Sequence, residues 1–144
     1  MTSGDRGVEQ GIVVIDSSIA VKWYKSEGES ALDAAWALLE QHRDAVATIV
    51  VPGHFVAEVL NGLQYARLEL DQVRLAAAAL DDADLVTVPL TRHLTEPAVA
   101  LARTHRLTIN DALFPALAIL LDAELVTADR AQARVTECRV RLLA

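Results

Sequence analysis

The sequence predicts an α/β fold, a sandwich in which helices cover both faces of a central parallel sheet of about five strands. Three observations carry this reading. Short apolar runs at 11–15, 46–51, 85–90, 124–127 and 140–143 have the length and composition of strands. Stretches with apolar residues at helical spacing separate most of them. The 144 residues contain no repeat, low-complexity segment or linker, which fits one domain. Strands that alternate with one or two helices need crossover connections, so the strands run parallel. Residues 1–10 read as a flexible leader and 11–144 as the domain.

Gly11 to Ile15 is continuously apolar and β-branched, as a strand buried on both faces should be, and Asp16-Ser17-Ser18 ends it. Ser17 or Ser18 is expected to cap a helix through Tyr24, and a second helix fits Glu29 to His42, with Leu32, Ala35, Trp36 and Leu39 on one stripe. Trp23 and Trp36 are expected in the core. Val46 to Val51 is the second strand. Pro52 suits the first turn of a third helix through Arg67, which places Glu58 near its middle. Asp71 is expected to cap a helix to Ala83, and Leu85 to Leu90 to form the third strand. Helices follow over about 94–105 and 108–121, then a strand from Glu124 to Thr127, a short helix from Asp129 and a final strand over 140–143.

Composition narrows the function classes. Thirteen Lys and Arg against twenty Asp and Glu give a net charge of −7, which argues against a non-specific, charge-driven nucleic-acid binder. No apolar run approaches the roughly 20 residues needed to span a bilayer, and the first eleven residues lack an apolar signal core, so a cytoplasmic protein with no membrane partner is expected. The single cysteine, Cys138, has no partner for an internal disulfide and reads as a small buried hydrophobe. The apolar fraction of 53% is high for a chain with 4% aromatics, which predicts that some apolar surface meets another chain, as in a homodimer.

Four acids stand where phosphodiester chemistry with a divalent ion would need them. Asp16 and Asp129 each close a strand, and in an open α/β sheet ligands bind beyond the carboxyl ends of the strands where strand order reverses. Glu58 and Asp111 lie on helices. Each has a simpler use: Asp16 and Asp129 as helix N-caps, Asp111 as the first-turn acid of a capping box opened by Thr108, Glu58 on a solvated stripe with Asn61 and Tyr65. Converging, they would repel one another unless a cation neutralised them. An all-oxygen set suits Mg²⁺, with Mn²⁺ as a substitute, rather than Zn²⁺. His42, His54, His93 and His105 show no metal-binding spacing, His54 reading as a helix-start or core residue, and no GxSxG, P-loop or GxGxxG sequence is present.

These residues resemble the PIN domain family, most closely its VapC-type ribonuclease toxins. The matching pieces are Val13-Val14-Ile15-Asp16-Ser17-Ser18 with Trp23 soon after, Glu58-Val59-Leu60-Asn61, Asn110-Asp111-Ala112-Leu113 followed by Ala116-Leu117-Ala118, and Leu125-Val126-Thr127-Ala128-Asp129-Arg130. The resemblance covers about Ile12 to the C-terminus. It implies a metal-dependent endoribonuclease, with Asp16, Glu58, Asp111 and Asp129 as catalytic and metal-site acids, Ser18, Asn61 and Thr127 in support, and products with 5′-phosphate and 3′-hydroxyl ends. It further implies a cognate antitoxin, an RNA substrate and a homodimer. Asn110 departs from the family at a position where an aromatic is common. Pro115 is a second departure, expected to kink the chain and to start the regular helix there.

Other readings are a catalytically silent PIN-like binding module and a Mg²⁺-binding phosphoacceptor receiver domain. The receiver would need adjacent acids after the first strand and a late lysine. Ser17 follows Asp16, and no lysine lies beyond Lys25.

Overall fold

The structure, a computed structural model, describes residues 11–144; the leader expected over 1–10 lies outside the described residues. The elements run β1 (Ile12–Ile15), α1 (Ser17–Tyr24), α2 (Leu32–Arg43), β2 (Thr48–Pro52), α3 (Phe55–Tyr65), α4 (Leu70–Asp82), β3 (Val86–Val88), α5 (Arg92–His105), α6 (Ile109–Leu121), β4 (Glu124–Thr127), α7 (Arg130–Ala133) and β5 (Val140–Leu142). The five strands of the described residues are parallel, in the order β3-β2-β1-β4-β5. The α/β/α expectation therefore holds.

The order defines where a ligand can bind. The chain moves outward from β1 to β2 and β3, then crosses back to add β4 and β5 on the other side of β1. Strand order thus reverses between β1 and β4, and the crevice of such a sheet opens at the carboxyl ends of those two strands. Right-handed crossovers assign α1–α4 to one face and α5–α7 to the other. The packing agrees, since α1 lies against α2 and α3, while α6 lies against α5 and α7.

The core explains why β1 and β4 were readable. Val14, Ile15, Leu125 and Val126 are fully buried between the helical layers, with Val14 paired to Val50 on one side and Leu125 on the other. Strands covered on both faces read as unbroken apolar runs. The edge strands β3 and β5 are three residues each, which leaves little edge exposed to another chain. Helix α6 is buried over the whole of Ala112–Ala118 and packs across β1, β2 and β4, so its first turn is delivered to the crevice from a rigid base.

Several boundaries differ from expectation, each for a physical reason. Asp16, not a serine, caps α1, its carboxylate accepting from the Ser18 amide at 3.0 Å. Helix α2 starts at Leu32 rather than Glu29, because Glu29 and the Ser30 carbonyl turn inward to the buried ammonium of Lys22, and Ala31 at φ 54 marks the left-handed break. Its buried stripe is Ala35, Leu38 and Leu39; Trp36 lies at the flank, 37% exposed, not in the core. Trp23 is buried and donates its indole N–H to the Ala35 carbonyl.

Pro52 ends β2 instead of opening α3, which begins at Phe55 and ends at Tyr65; Glu58 therefore stands in the first turn, not mid-helix. Glu69, not Asp71, caps α4 in a reciprocal capping box with Gln72. Pro89 has no N–H to extend the ladder, and β3 stops at Val88. Helix α6 runs unbroken from Ile109 through Pro115, so the regular helix does not wait for the proline. Cys138 is a half-buried free thiol just before β5. Among the described residues, no helix is long and apolar enough to cross a membrane.

Candidate active site

Asp16 leaves β1 and Asp129 leaves β4 on either side of the switch point. Two hydrogen bonds draw these strand ends together: the Asp16 amide donates to the Val126 carbonyl at 3.0 Å, and the Ala128 amide donates to Ser18 Oγ at 3.0 Å. Ser18 thus supports the site through the backbone. Asp16 is buried at 4% exposure, and its carboxylate accepts from the Ser18 amide at 3.0 Å and from Gln132 Nε2 at 3.1 Å. Asp129 caps α7 by accepting from the Ala131 amide at 2.8 Å. The simpler cap roles of both aspartates are therefore real. A cap bond occupies one lone pair and leaves the carboxylate others.

Asp111 and Glu58 arrive from opposite helical layers. Thr108 caps α6 by accepting from the Asp111 amide at 3.1 Å, which fixes Asp111 in the first turn. Glu58 sits in the first turn of α3, where Asn110 Nδ2 reaches its Oε2 at 3.4 Å. The ring of His54 lies at the start of α3, tilted on Phe114 with centroids 4.9 Å apart, and its Nε2 is 2.9 Å from the Asn110 carbonyl. Asn110, the departure from the family pattern, thus links α6 to α3.

All four acids line one cavity of about 670 Å³, together with Ser18, Asn61 and Lys22. Thr127 lies behind it, fully buried, its hydroxyl accepting from the Asp129 amide at 2.9 Å. That hydroxyl has one proton and two acceptors in reach, Gln132 Oε1 at 2.7 Å and Asp16 Oδ2 at 3.4 Å; the shorter contact takes it. Every site residue expected from sequence is therefore at the cavity or directly beneath it.

The cavity is strongly anionic. Burial holds the Asp111 carboxyl above its ordinary value, and the charges of Asp16, Asp129 and then Glu58 add to that, while the Thr108 hydroxyl works the other way. The other end holds the one buried ammonium among the described residues. Lys22, 3% exposed, is neutralised by Glu29 at 3.0 Å.

In kind, the donors fit a hard divalent cation, being carboxylates without thiolate or paired imidazole. In spacing they are open: among the described residues no three His, Cys, Asp or Glu side chains converge closely enough to hold a bare ion. The two facts are compatible with an ion that keeps much of its water, as Mg²⁺ does.

Sequence reasoning missed two contributors, Lys22 and Gln132. Lys22 reads as an ordinary last-turn lysine. Gln132 stands three residues after Asp129, a capping-box spacing, but its side chain turns inward and Thr127 takes the Asp129 amide in its place.

Comparison with known proteins agrees with this geometry. The PIN domain family model matches residues 13–137, and the chain belongs to that family. The receiver-domain alternative is thereby set aside. No curated protein matches the chain by sequence. Among solved structures, VapBC2 from Rickettsia felis bound to a promoter DNA fragment aligns with a TM-score of 0.65 at 17% identity, covering 92% of this chain and 99% of that one. The sarcin–ricin loop cleaving toxin VapC20 of Mycobacterium tuberculosis aligns with a TM-score of 0.65 at 18% identity, over 88% and 98% of the two chains. A toxin–antitoxin complex from Klebsiella pneumoniae aligns with a TM-score of 0.60 at 21% identity, again over 88% and 98%. At these identities the likeness is one of fold.

Proposed function

We propose that the protein is a metal-dependent endoribonuclease, the toxin of a VapBC-type toxin–antitoxin pair, acting in the cytoplasm. One observation carries the reading: carboxylates from four separate elements line a single cavity at the switch point of the sheet. The fold neighbours that are toxins or toxin–antitoxin complexes support the biological assignment.

Asp16, Glu58, Asp111 and Asp129 would hold Mg²⁺ or Mn²⁺. When bound, such an ion lowers the pKa of a water and offsets charge developing on the phosphate. The protein's own residues do the rest. Ser18 and Thr127 fix the backbone that carries Asp16 and Asp129, so the strand-borne carboxylates are oriented before substrate arrives. Without a cation the cavity would repel an RNA phosphate, so substrate entry and ion binding are coupled. Glu58 and Asn61 occupy one stripe of α3 along the groove, where a strand of RNA would pass.

Two partners complete the proposal. An antitoxin segment with a basic side chain reaching the acids would suit an anionic groove as inhibitor. A homodimer is supported by exposed apolar side chains, among them Leu70 at 60% and Leu75 at 71% on α4.

A silent PIN-like binding module is the second reading, favoured by the open spacing of the acids. Metal-linked melting separates the two. Mn²⁺ should raise the melting temperature of the wild type, and Asp16→Asn with Asp129→Asn should remove that shift; an unchanged shift in the double variant would reject these acids as the site.

A further inference from the structure

Behind the acidic wall lies a polar side chain to which the proposed reaction gives no role. Gln132, on α7, is fully buried. A buried carboxamide is costly unless its donors and acceptor are met, and here all are. Oε1 accepts from Thr127 Oγ1 at 2.7 Å, while Nε2 donates to Asp16 Oδ1 at 3.1 Å and to the backbone carbonyl of Asp111 at 3.0 Å. The network fixes the orientation of the amide. Reversed, its oxygen would face a carboxylate and a carbonyl, with no hydrogen between them.

The Asp111 carbonyl is free to accept for a reason written in the sequence. Inside a helix it would bond the amide of residue 115, four positions on. Residue 115 is proline, which has no amide hydrogen. Gln132 supplies that hydrogen from another element. One carboxamide therefore joins the end of β1 to the first turn of α6, and through Thr127, which accepts the Asp129 amide, to the end of β4. These are the positions of Asp16, Asp111 and Asp129. Glu58 is tied in separately by Asn110.

We propose that Gln132 is a positioning residue that sets the spacing of the strand-borne acids relative to Asp111, and thereby the affinity of the cavity for a divalent ion. Pro115 is the other half of the device, because it leaves the Asp111 carbonyl open to Gln132. The inference rests on the metal-dependent reading above. Groups that orient metal ligands typically change metal affinity about 10–100-fold when removed.

The test is Mn²⁺ binding by calorimetry on the full chain after EDTA treatment, with melting temperature and circular dichroism measured alongside. Gln132→Met keeps length and bulk but no donor, and should bind Mn²⁺ at least about tenfold more weakly with its secondary structure intact. Adding Pro115→Ala returns an in-helix donor to the Asp111 carbonyl. The double variant should regain melting temperature yet keep the weak affinity, because Asp16 still lacks its donor. This split between stability and affinity is not expected of a residue that only fills the core.

Wild-type affinity in either variant overturns the proposal. If Gln132→Met is too unstable to titrate, the double variant carries the test, and failure of both to fold would make Gln132 a core residue only, overturning it as well. A wild-type chain that binds no Mn²⁺ removes the metal-dependent reading itself. A wild type that binds, matched by Gln132→Met, removes this inference alone.

Discussion

Ser18 Oγ accepts the amide hydrogen of Ala128 at 3.0 Å, a bond between the first turn after β1 and the residue that follows β4. It holds the two strand-ending aspartates of the cavity on one rigid corner. A hydrogen bond of this kind contributes about 1 kcal/mol net. Ser18→Ala should therefore lower stability in urea by about that amount, while reducing RNA cleavage by more than the loss of folded protein explains. Equal losses of activity and folded fraction would show that the bond serves stability alone.

Asp111 gives a pH prediction. Burial and the neighbouring carboxylates raise its pKa above the ordinary 3.8. The folded protein then holds this proton more tightly than the unfolded chain, so ionising Asp111 removes stability as pH rises from the ordinary carboxylate range through the folded value. In EDTA at pH 7, Asp111→Asn should melt above the wild type. That advantage should vanish as pH falls below the ordinary range, where the wild-type carboxyl is protonated in both states. Melting curves that show no gain at pH 7 would contradict the electrostatic picture.

Lys22 gives a prediction away from the acids. Its ammonium is buried against Glu29 Oε1 at 3.0 Å and the Ser30 carbonyl at 2.7 Å. Lys22→Met takes the donor from the Ser30 carbonyl and leaves Glu29 only Lys25, at 3.6 Å, so it should cost about 1–3 kcal/mol, below the value for a fully buried pair because Glu29 is one-fifth exposed and keeps that second partner. Lys22→Met with Glu29→Gln should recover part of it. Denaturation of the two single variants and the double variant measures the coupling, and strictly additive losses would show none.

The exposed apolar side chains of α4 predict association. Sedimentation of the purified chain at micromolar concentration should give a dimer, or a complex with a co-expressed antitoxin. A species that stays monomeric and carries no partner would remove that part of the proposal.

The parts of the fold legible in the sequence are those governed by local pattern. β1 and β4 are unbroken apolar runs because both faces are covered, and the acids that close them follow directly. The expectations that failed depend on distant contacts. Helix α2 starts late because Lys22, an earlier residue on another helix, needs Glu29 and Ser30. Trp36 has the right spacing for the core but falls beside Leu38 and Leu39, which fill it. Glu58 moved to a first turn because Pro52 completes a parallel strand pairing with Val88. Gln132 was hidden by its own capping-box spacing, since its inward turn depends on Thr127 and on the carbonyl that Pro115 leaves open.

The central claim is that these four carboxylates support metal-dependent RNA hydrolysis. Its most direct measurement is cleavage of total cellular RNA by the purified, inhibitor-free protein in Mg²⁺ or Mn²⁺, compared with EDTA and with Asp16→Asn, and followed by analysis of the new ends. Asp16→Asn keeps an acceptor for the Ser18 amide and so preserves the cap. The account predicts discrete cleavage with 5′-phosphate ends that is lost in EDTA and reduced by orders of magnitude in Asp16→Asn. Cleavage that persists in EDTA or in the variant, or that leaves 2′,3′-cyclic phosphates, would contradict it.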